Sequence, residues 1–475
     1  MMATDKQDEA LKAAIERIWQ VGESMGLDAF PTHFEVVPAT IMYEFGAYGL
    51  PGRFSHWTHG KAFHQMKTMY DYGLSKIYEL VVNTDPCYAF LLDGNSLVQN
   101  KLVVAHVMAH SDFFKNNAWF SKTKRHMMDT VSANAERIDK YSFDHGPLVV
   151  EQFLDAVLAI QEHVDFSLVS EPAAPPKMPP RQRSRIRQEG PYDDLWRLER
   201  RGDEQPAEPE HHRFPPEPQK DVLKFIAEHS PGLEDWQRDC LWIVRDEMLY
   251  FHPQMQTKIM NEGWASLWHA RIMRELDLTE DEYVEFASLN ASVVAPSASP
   301  RQINPYYVGL KIWEDIIRRW DNPTPEERAT FGRKGGEGLL KAFEVRETEN
   351  DISFLRNYLT ADLVDELDLY IYRREGDQWV VVEKNWEKVR DSLVQQMTNM
   401  GFPYICVEDG DYRGNRELYL KHYYEDRELD LAYAKHALHH VYTLWERPVH
   451  LETVSDGRRI LLSYNGESDS VSHLS

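Results

Sequence analysis

His106 and His110 stand four residues apart in Lys101-Leu-Val-Val-Ala-His-Val-Met-Ala-His-Ser-Asp-Phe-Phe-Lys-Asn-Asn117. On a helix, that spacing lets two imidazoles reach a single divalent ion. Far downstream, Glu262, Ser266 and His269 follow at i, i+4 and i+7, so a helix there stacks a carboxylate and an imidazole on one face. With Glu262 as third ligand, the three ligating atoms are expected to meet at separations of roughly 3 to 4 Å. His269 is then a fourth ligand or a proton donor. The pattern departs from the zinc-protease motif HExxH, because Val107 occupies the position of that motif's general base. A base must come from elsewhere, and Glu44 and Glu79 are the candidates for it. Zinc suits amide or ester hydrolysis here, since it polarises a carbonyl and lowers the pKa of bound water to about 7. A carboxylate-bridged iron site is a variant, with Glu44, Glu79, Glu262 and the two histidines held between helices. A non-enzymatic reading has His106, His110, Asp112 and Glu262 as a buried polar network that keeps helices in register.

The elements that carry these residues are legible in part. Phe251 to His269 reads as one helix with Pro253 in its first turn, where a missing N–H costs little. Met260, Trp264, Leu267 and Trp268 flank its polar positions with large apolar area, so the helix is expected to be buried. Residues 8 to 25 have helical spacing through Leu11, Ile15, Ile18 and Trp19. Between Tyr43 and Lys61, glycine and proline force an irregular path past Glu44, Arg53, His56 and His59, either a site or a surface loop. Helices are expected next, including Tyr78 to Asn83.

From 171 to 219 the composition changes to eleven prolines, a basic cluster at 181 to 187 and few apolar residues, which predicts a solvated linker. Gly332-Arg-Lys-Gly-Gly-Glu-Gly338 lacks the GKS/T ending of a phosphate loop and reads as a turn. After Asp362 the periodicity alternates. Strands are expected at 367–373, 379–382, 404–407, 417–422, 449–454 and 460–464, with helices at 385–400 and 430–445. His436, His439 and His440 on the last helix have ligand-like spacing but read as an exposed polar face. The expected fold class is α+β: a large, mainly helical N-terminal region with a buried polar or metal-type site, and a small C-terminal α+β domain. Its parts are a helical domain (1–170), the linker (171–219), a second helical block carrying Glu262 (220–360) and the α+β domain (361–475).

Composition narrows the function classes. The 475 residues are 42% hydrophobic, ample for packed cores. A formal net charge of -24, from 77 acidic against 53 basic residues, repels phosphate backbones and argues against nucleic-acid binding. The three cysteines form no CxxC pair, which fits a reducing compartment. No apolar run approaches the roughly 20 residues of a membrane helix, and the N-terminus is polar and acidic, so a cytoplasmic protein is expected.

Several long stretches together carry a family likeness: Tyr48-Gly-Leu-Pro-Gly-Arg-Phe-Ser-His-Trp57, His106 to Asn117, Trp236-Gln-Arg-Asp239, Gln256 to Ala265 with Trp268-His269, and Phe343-Glu-Val-Arg-Glu347 with Asn350-Asp351. With these the chain resembles the stage V sporulation protein R (SpoVR-like) family over nearly its whole length. The resemblance implies a cytoplasmic bacterial protein linked to sporulation, in particular spore cortex formation. In non-sporulating bacteria it implies a role in stress or stationary-phase physiology alongside a serine protein kinase. It supplies no reaction, so the chemistry rests on the residues themselves.

Overall fold

A helix that is apolar on every side has to lie inside the protein, and Leu97–Asn116 is such a helix. Val103, Val104, Ala105, Val107, Met108, Ala109 and Phe113 are all buried around its circumference. Its start is fixed by a capping box in which Ser96 and Gln99 satisfy each other's backbone N–H groups. This histidine helix packs against Lys258–Glu275, the glutamate helix, and against Met2–Ser24. The computed structural model describes residues 2–72, 79–167, 213–297, 299 and 302–474.

The chain forms two compact units, one made of residues 1–147 and 247–402, the other of 148–246 and 403–475. In the first unit the glutamate helix crosses Pro305–Asp321 through Gly263 and Gly309. A Cβ on Gly263 would lie 2.3 Å from the carbonyl carbon of Gly309, so only glycine allows the two backbones to meet. Trp264 and Trp313 pack edge to face beside that crossing, with ring centroids 5.0 Å apart.

The stretch expected as one helix from Phe251 to His269 is two. Asp235–Gln256 ends, Thr257 takes φ -124° and ψ 17°, and Lys258–Glu275 begins. Pro253 lies inside the last turn of the first helix, not in the first turn of the second. Its missing N–H weakens that turn, and Thr257 Oγ1 donates back to the Pro253 carbonyl at 2.7 Å. The new helix is then started by Asp351, whose carboxylate oxygens accept from the N–H groups of Ile259 and Met260, each at 2.9 Å.

A second correction concerns Tyr78 to Asn83, where Glu79–Val82 is a strand and not a helix. Strands β1 (Thr32–Val37), β2 (Glu79–Val82) and β3 (Cys87–Leu92) form a sheet in the order β1-β3-β2, with β1 parallel to β3. Paired valines in so short a segment favour the extended form once a partner strand is present. The hairpin of β4 (Ile371–Glu375) and β5 (Gln378–Glu383), followed by the Trp386–Met397 helix, completes this unit.

The second unit holds β6 (Ile405–Tyr412), β7 (Glu417–His422), β8 (Val449–Ser455), β9 (Arg458–Tyr464) and β10 (Asp469–His473) in the order β10-β9-β8-β7-β6. Only β7 and β8 run parallel, joined through the Leu431–Trp445 helix, as a parallel pair requires. Each strand expected after Asp362 has a counterpart, the first beginning later, at Ile371, and β10 is additional. Phe225 stacks on Trp445 at 5.8 Å, and Phe153 meets Trp236 at 5.3 Å. Arg238 of the WQRD stretch donates to the Ser230 carbonyl at 2.8 Å and to that of Ala227. Most of the expected linker lies outside the described residues, but Gln219 at its end is bridged to Val407 of β6. The fold class is thus α+β, with a large helical part and a five-stranded sheet near the C-terminus. Gly332 caps the Pro325–Phe331 helix in the left-handed region, and the glycine-rich stretch is a bend. The three cysteines are buried and free, and no helix among the described residues is long and apolar enough to cross a membrane.

Candidate metal centre

His106, His110 and Glu262 come together where the histidine and glutamate helices pack. The Nε2 atoms of His106 and His110 lie 3.6 and 3.4 Å from Glu262 Oε2. One ligating atom from each of the three lies within 4.8 Å of the others, and among the described residues no other His, Cys, Asp or Glu group is gathered in this way. His436, His439 and His440 are not; His439 instead pairs with Asp469 at 2.9 Å.

The hydrogen bonds behind the two imidazoles fix what they present to Glu262. His110 Nδ1 is 2.9 Å from Asn261 Oδ1, and an amide oxygen can only accept. His110 therefore carries a proton on Nδ1 and turns Nε2 toward Glu262, where the neutral ring holds a lone pair. His269 Nε2 is 2.8 Å from Asn290 Oδ1, so its proton is on Nε2 and its Nδ1 accepts. Burial first, and then the neighbouring His106, push His269 down to about 3, so its ring is neutral. Its Nδ1 lies 2.9 Å from His106 Nδ1, which must be the donor. His106, like His110, thus turns Nε2 toward Glu262, with a lone pair there in the neutral ring. Two imidazole Nε2 atoms and a carboxylate oxygen face one another.

Burial pushes the Glu262 carboxyl up, and the two imidazoles, whenever they carry a proton on Nε2, outweigh this and hold it well below the usual carboxylate range; a bound cation takes the place of those protons. Its Oε2 is buried with no hydrogen-bond partner among the described residues. With both rings neutral the three groups are all acceptors, and one cation can be held by all three. The donor set fits a divalent ion of the kind held by nitrogen and oxygen ligands.

The remaining residues expected at the site are placed differently. His269 has both ring nitrogens engaged and stands behind His106 rather than beside Glu262. Glu44 is exposed on the Ala39–Tyr48 helix and is not part of the cluster. Glu79 begins β2, opposite Leu91 of β3. Asp112 belongs to a separate buried network. It accepts from Arg346 at 2.7 Å, Trp264 Nε1 at 2.9 Å and the Asp28 backbone at 2.8 Å, tying the histidine helix to the glutamate helix close to the site. Arg346 is placed in turn by Asn117, whose Nδ2 donates to the Arg346 carbonyl at 2.6 Å and that of Glu349 at 2.9 Å.

The stretches that gave the family likeness thus supply the ligands and much of what braces them. The SpoVR like protein family matches residues 5–402, and the SpoVR-like C-terminal domain matches residues 403–456. The chain belongs to the SpoVR-like family. It is 30% identical over 480 residues to a protein of Escherichia coli (strain K12) described as "Uncharacterized protein YcgB", covering 96% of this chain and 94% of that one. No solved structure matches it. The boundary between the two family segments coincides with the last crossing of the chain between its units, at 402/403.

Asn261, Asn290 and Tyr306 were not singled out from the sequence. Asn261 adjoins Glu262 and could have been read from that position, whereas Asn290 and Tyr306 lie on other helices. Tyr306 stacks on His106, with centroids 5.9 Å apart and planes 23° from parallel.

Proposed function

We propose that this SpoVR-like protein is a metal-dependent hydrolase in which His106, His110 and Glu262 hold one divalent ion, zinc in preference to iron. The observation that supports this reading is the chain of hydrogen bonds behind the rings, which turns the Nε2 atoms of two imidazoles onto a buried carboxylate oxygen. Three protein ligands of this kind leave a coordination position for substrate or water, the arrangement of catalytic rather than structural zinc. When bound, such an ion polarises a carbonyl and acidifies water near neutral pH. Asn261 and His269 orient the two imidazoles and raise their basicity, a positioning role. The exposed position of Glu44 removes one carboxylate from the bridged iron variant and favours a single ion.

A second reading, a non-enzymatic regulator, draws on the Asp112–Arg346–Trp264 network, which holds the two helices in register by itself. That same network favours the first reading, because it leaves the histidine–glutamate cluster without a packing task. The setting implied by the family, sporulation or stationary-phase stress alongside a serine protein kinase, is compatible with either. The deciding experiment incubates tag-free protein with N-acyl amino acids and their esters, with and without chelator. Hydrolysis that chelator and Glu262→Gln both abolish supports the enzyme; metal-replete protein inactive on every amide and ester leaves the regulator.

A further inference from the structure

Next to the proposed ion site lies a cleft of about 530 Å³, lined by Lys258, Ser297, Gln302, Ile303, Asn304 and Tyr306 among others. Two independent connections tie it to the cluster. Lys258 stands four residues before Glu262 on the glutamate helix, which puts the two side chains on one face with Cβ atoms about 6 Å apart. Tyr306 lines the cleft and also stacks on His106.

Among the described residues the lining has one cation and no carboxylate, in a chain whose formal net charge is -24. Lys258 is exposed and makes no ion pair among the described residues. Asn304 is already committed to the wall: its Nδ2 donates to the carbonyls of Val293 at 2.9 Å and Ala295 at 2.7 Å, and its Oδ1 accepts from the Tyr306 N–H at 3.0 Å. A phosphate would want the backbone N–H groups at the start of the glutamate helix, but Asp351 takes those of Ile259 and Met260. An ammonium beside neutral groups, the Gln302 amide and Ser297 hydroxyl among apolar Val293, Ile303 and Pro305, suits a carboxylate monoanion.

We propose that the cleft binds the free carboxylate of an N-acyl amino acid or of a peptide C-terminus, with Lys258 as its counter-ion. This rests on the hydrolase reading for its chemistry. One helical turn separates Lys258 from Glu262, comparable to the reach of one amino acid from its carboxylate to the acyl carbonyl on its nitrogen. That carbonyl then faces the ion site. In the reaction the oxygen of water joins the acyl carbon and the C–N bond breaks. One proton passes to the leaving nitrogen, giving a carboxylic acid and a free amino acid.

The test uses N-benzoylglycine and its methyl ester as probes, with binding to the full chain followed by calorimetry and by saturation-transfer NMR. The acid should bind about tenfold more tightly than the ester, and Lys258→Met should remove that difference while leaving ester binding unchanged. Equal binding of acid and ester, no binding of either, or indifference to Lys258→Met overturns the proposal. So does displacement of N-benzoylglycine by inorganic phosphate at lower concentration than by acetate. Released glycine is assayed separately: Lys258-dependent binding without release keeps the cleft assignment and sinks the hydrolase reading alone.

Discussion

His110 Nδ1 lies 2.9 Å from Oδ1 of Asn261, the residue immediately before Glu262. One turn of the glutamate helix therefore supplies both a ligating carboxylate and the group that aims an opposing imidazole at it. Replacing Asn261 by Leu keeps the side chain's size and removes the acceptor, so the His110 ring loses its fixed tautomer. Metal affinity is expected to fall by about 10- to 100-fold, measured by competition with a chromogenic chelator. Unchanged affinity would mean that Asn261 has no part in aiming the ring.

Arg346 and Asp112 form a buried pair at 2.7 Å. Removing only the cation in Arg346→Met leaves an uncompensated buried carboxylate, which costs about 3–5 kcal/mol. Burial already raises the Asp112 pKa, despite the opposing pull of Arg346. A carboxyl raised in the folded state holds its proton more tightly than in the unfolded chain, so its contribution to stability is lost as pH rises. The Arg346→Met deficit should accordingly be larger at pH 8 than at pH 6 in urea unfolding. A pH-independent deficit would place the effect in lost packing.

Glycine at 263 is required by the helix crossing, whereas a Cβ at Gly60, inside the Trp57–Asp71 helix, would meet nothing within 4 Å. Gly263→Ala should therefore destabilise the protein by about 3 kcal/mol, and Gly60→Ala should stabilise it by about 0.5–1 kcal/mol. Thermal unfolding of both variants checks the pair. Similar midpoints for the two would contradict the close backbone contact of Gly263 with Gly309.

Much of the proposed site could be read in the sequence because its spacing is local. His106 with His110, and the helical face bearing Glu262, are set by i, i+4 geometry alone, and strands β4 to β9 by alternation. The break at Thr257 was hidden because Pro253 is tolerated in a first turn as well as in a weakened last one. The cap that restarts the helix comes from Asp351, distant in sequence. Short apolar strands such as β2 carry no periodicity that separates them from a piece of buried helix. The placing of Asn290 behind His269 depends wholly on tertiary packing.

In the second unit, burial, with smaller contributions from Lys220 and His422, lowers His163 from 6.5 to about 4. The folded state then binds fewer protons than the unfolded chain between those values, so stability present above pH 6.5 is lost as pH falls towards 4. The loss is on the order of 3 kcal/mol. His163→Gln should flatten this part of the pH profile, recorded as unfolding midpoints from about pH 7.5 to about pH 4.5. Parallel profiles for the two proteins would rule His163 out as the source.

If His106, His110 and Glu262 hold an ion, its retention has to depend on the charge of Glu262. Glu262→Gln keeps the side chain's shape but removes the negative charge and a strong oxygen donor. The decisive measurement is metal stoichiometry by plasma mass spectrometry of tag-free wild type and Glu262→Gln, each paired with a melting curve with and without chelator. The expected result is about one divalent ion per wild-type chain, a lower melting point in chelator, and loss of both the ion and the chelator effect in Glu262→Gln. Wild-type protein that stays metal-free after incubation with zinc, and melts identically with and without chelator, would contradict it.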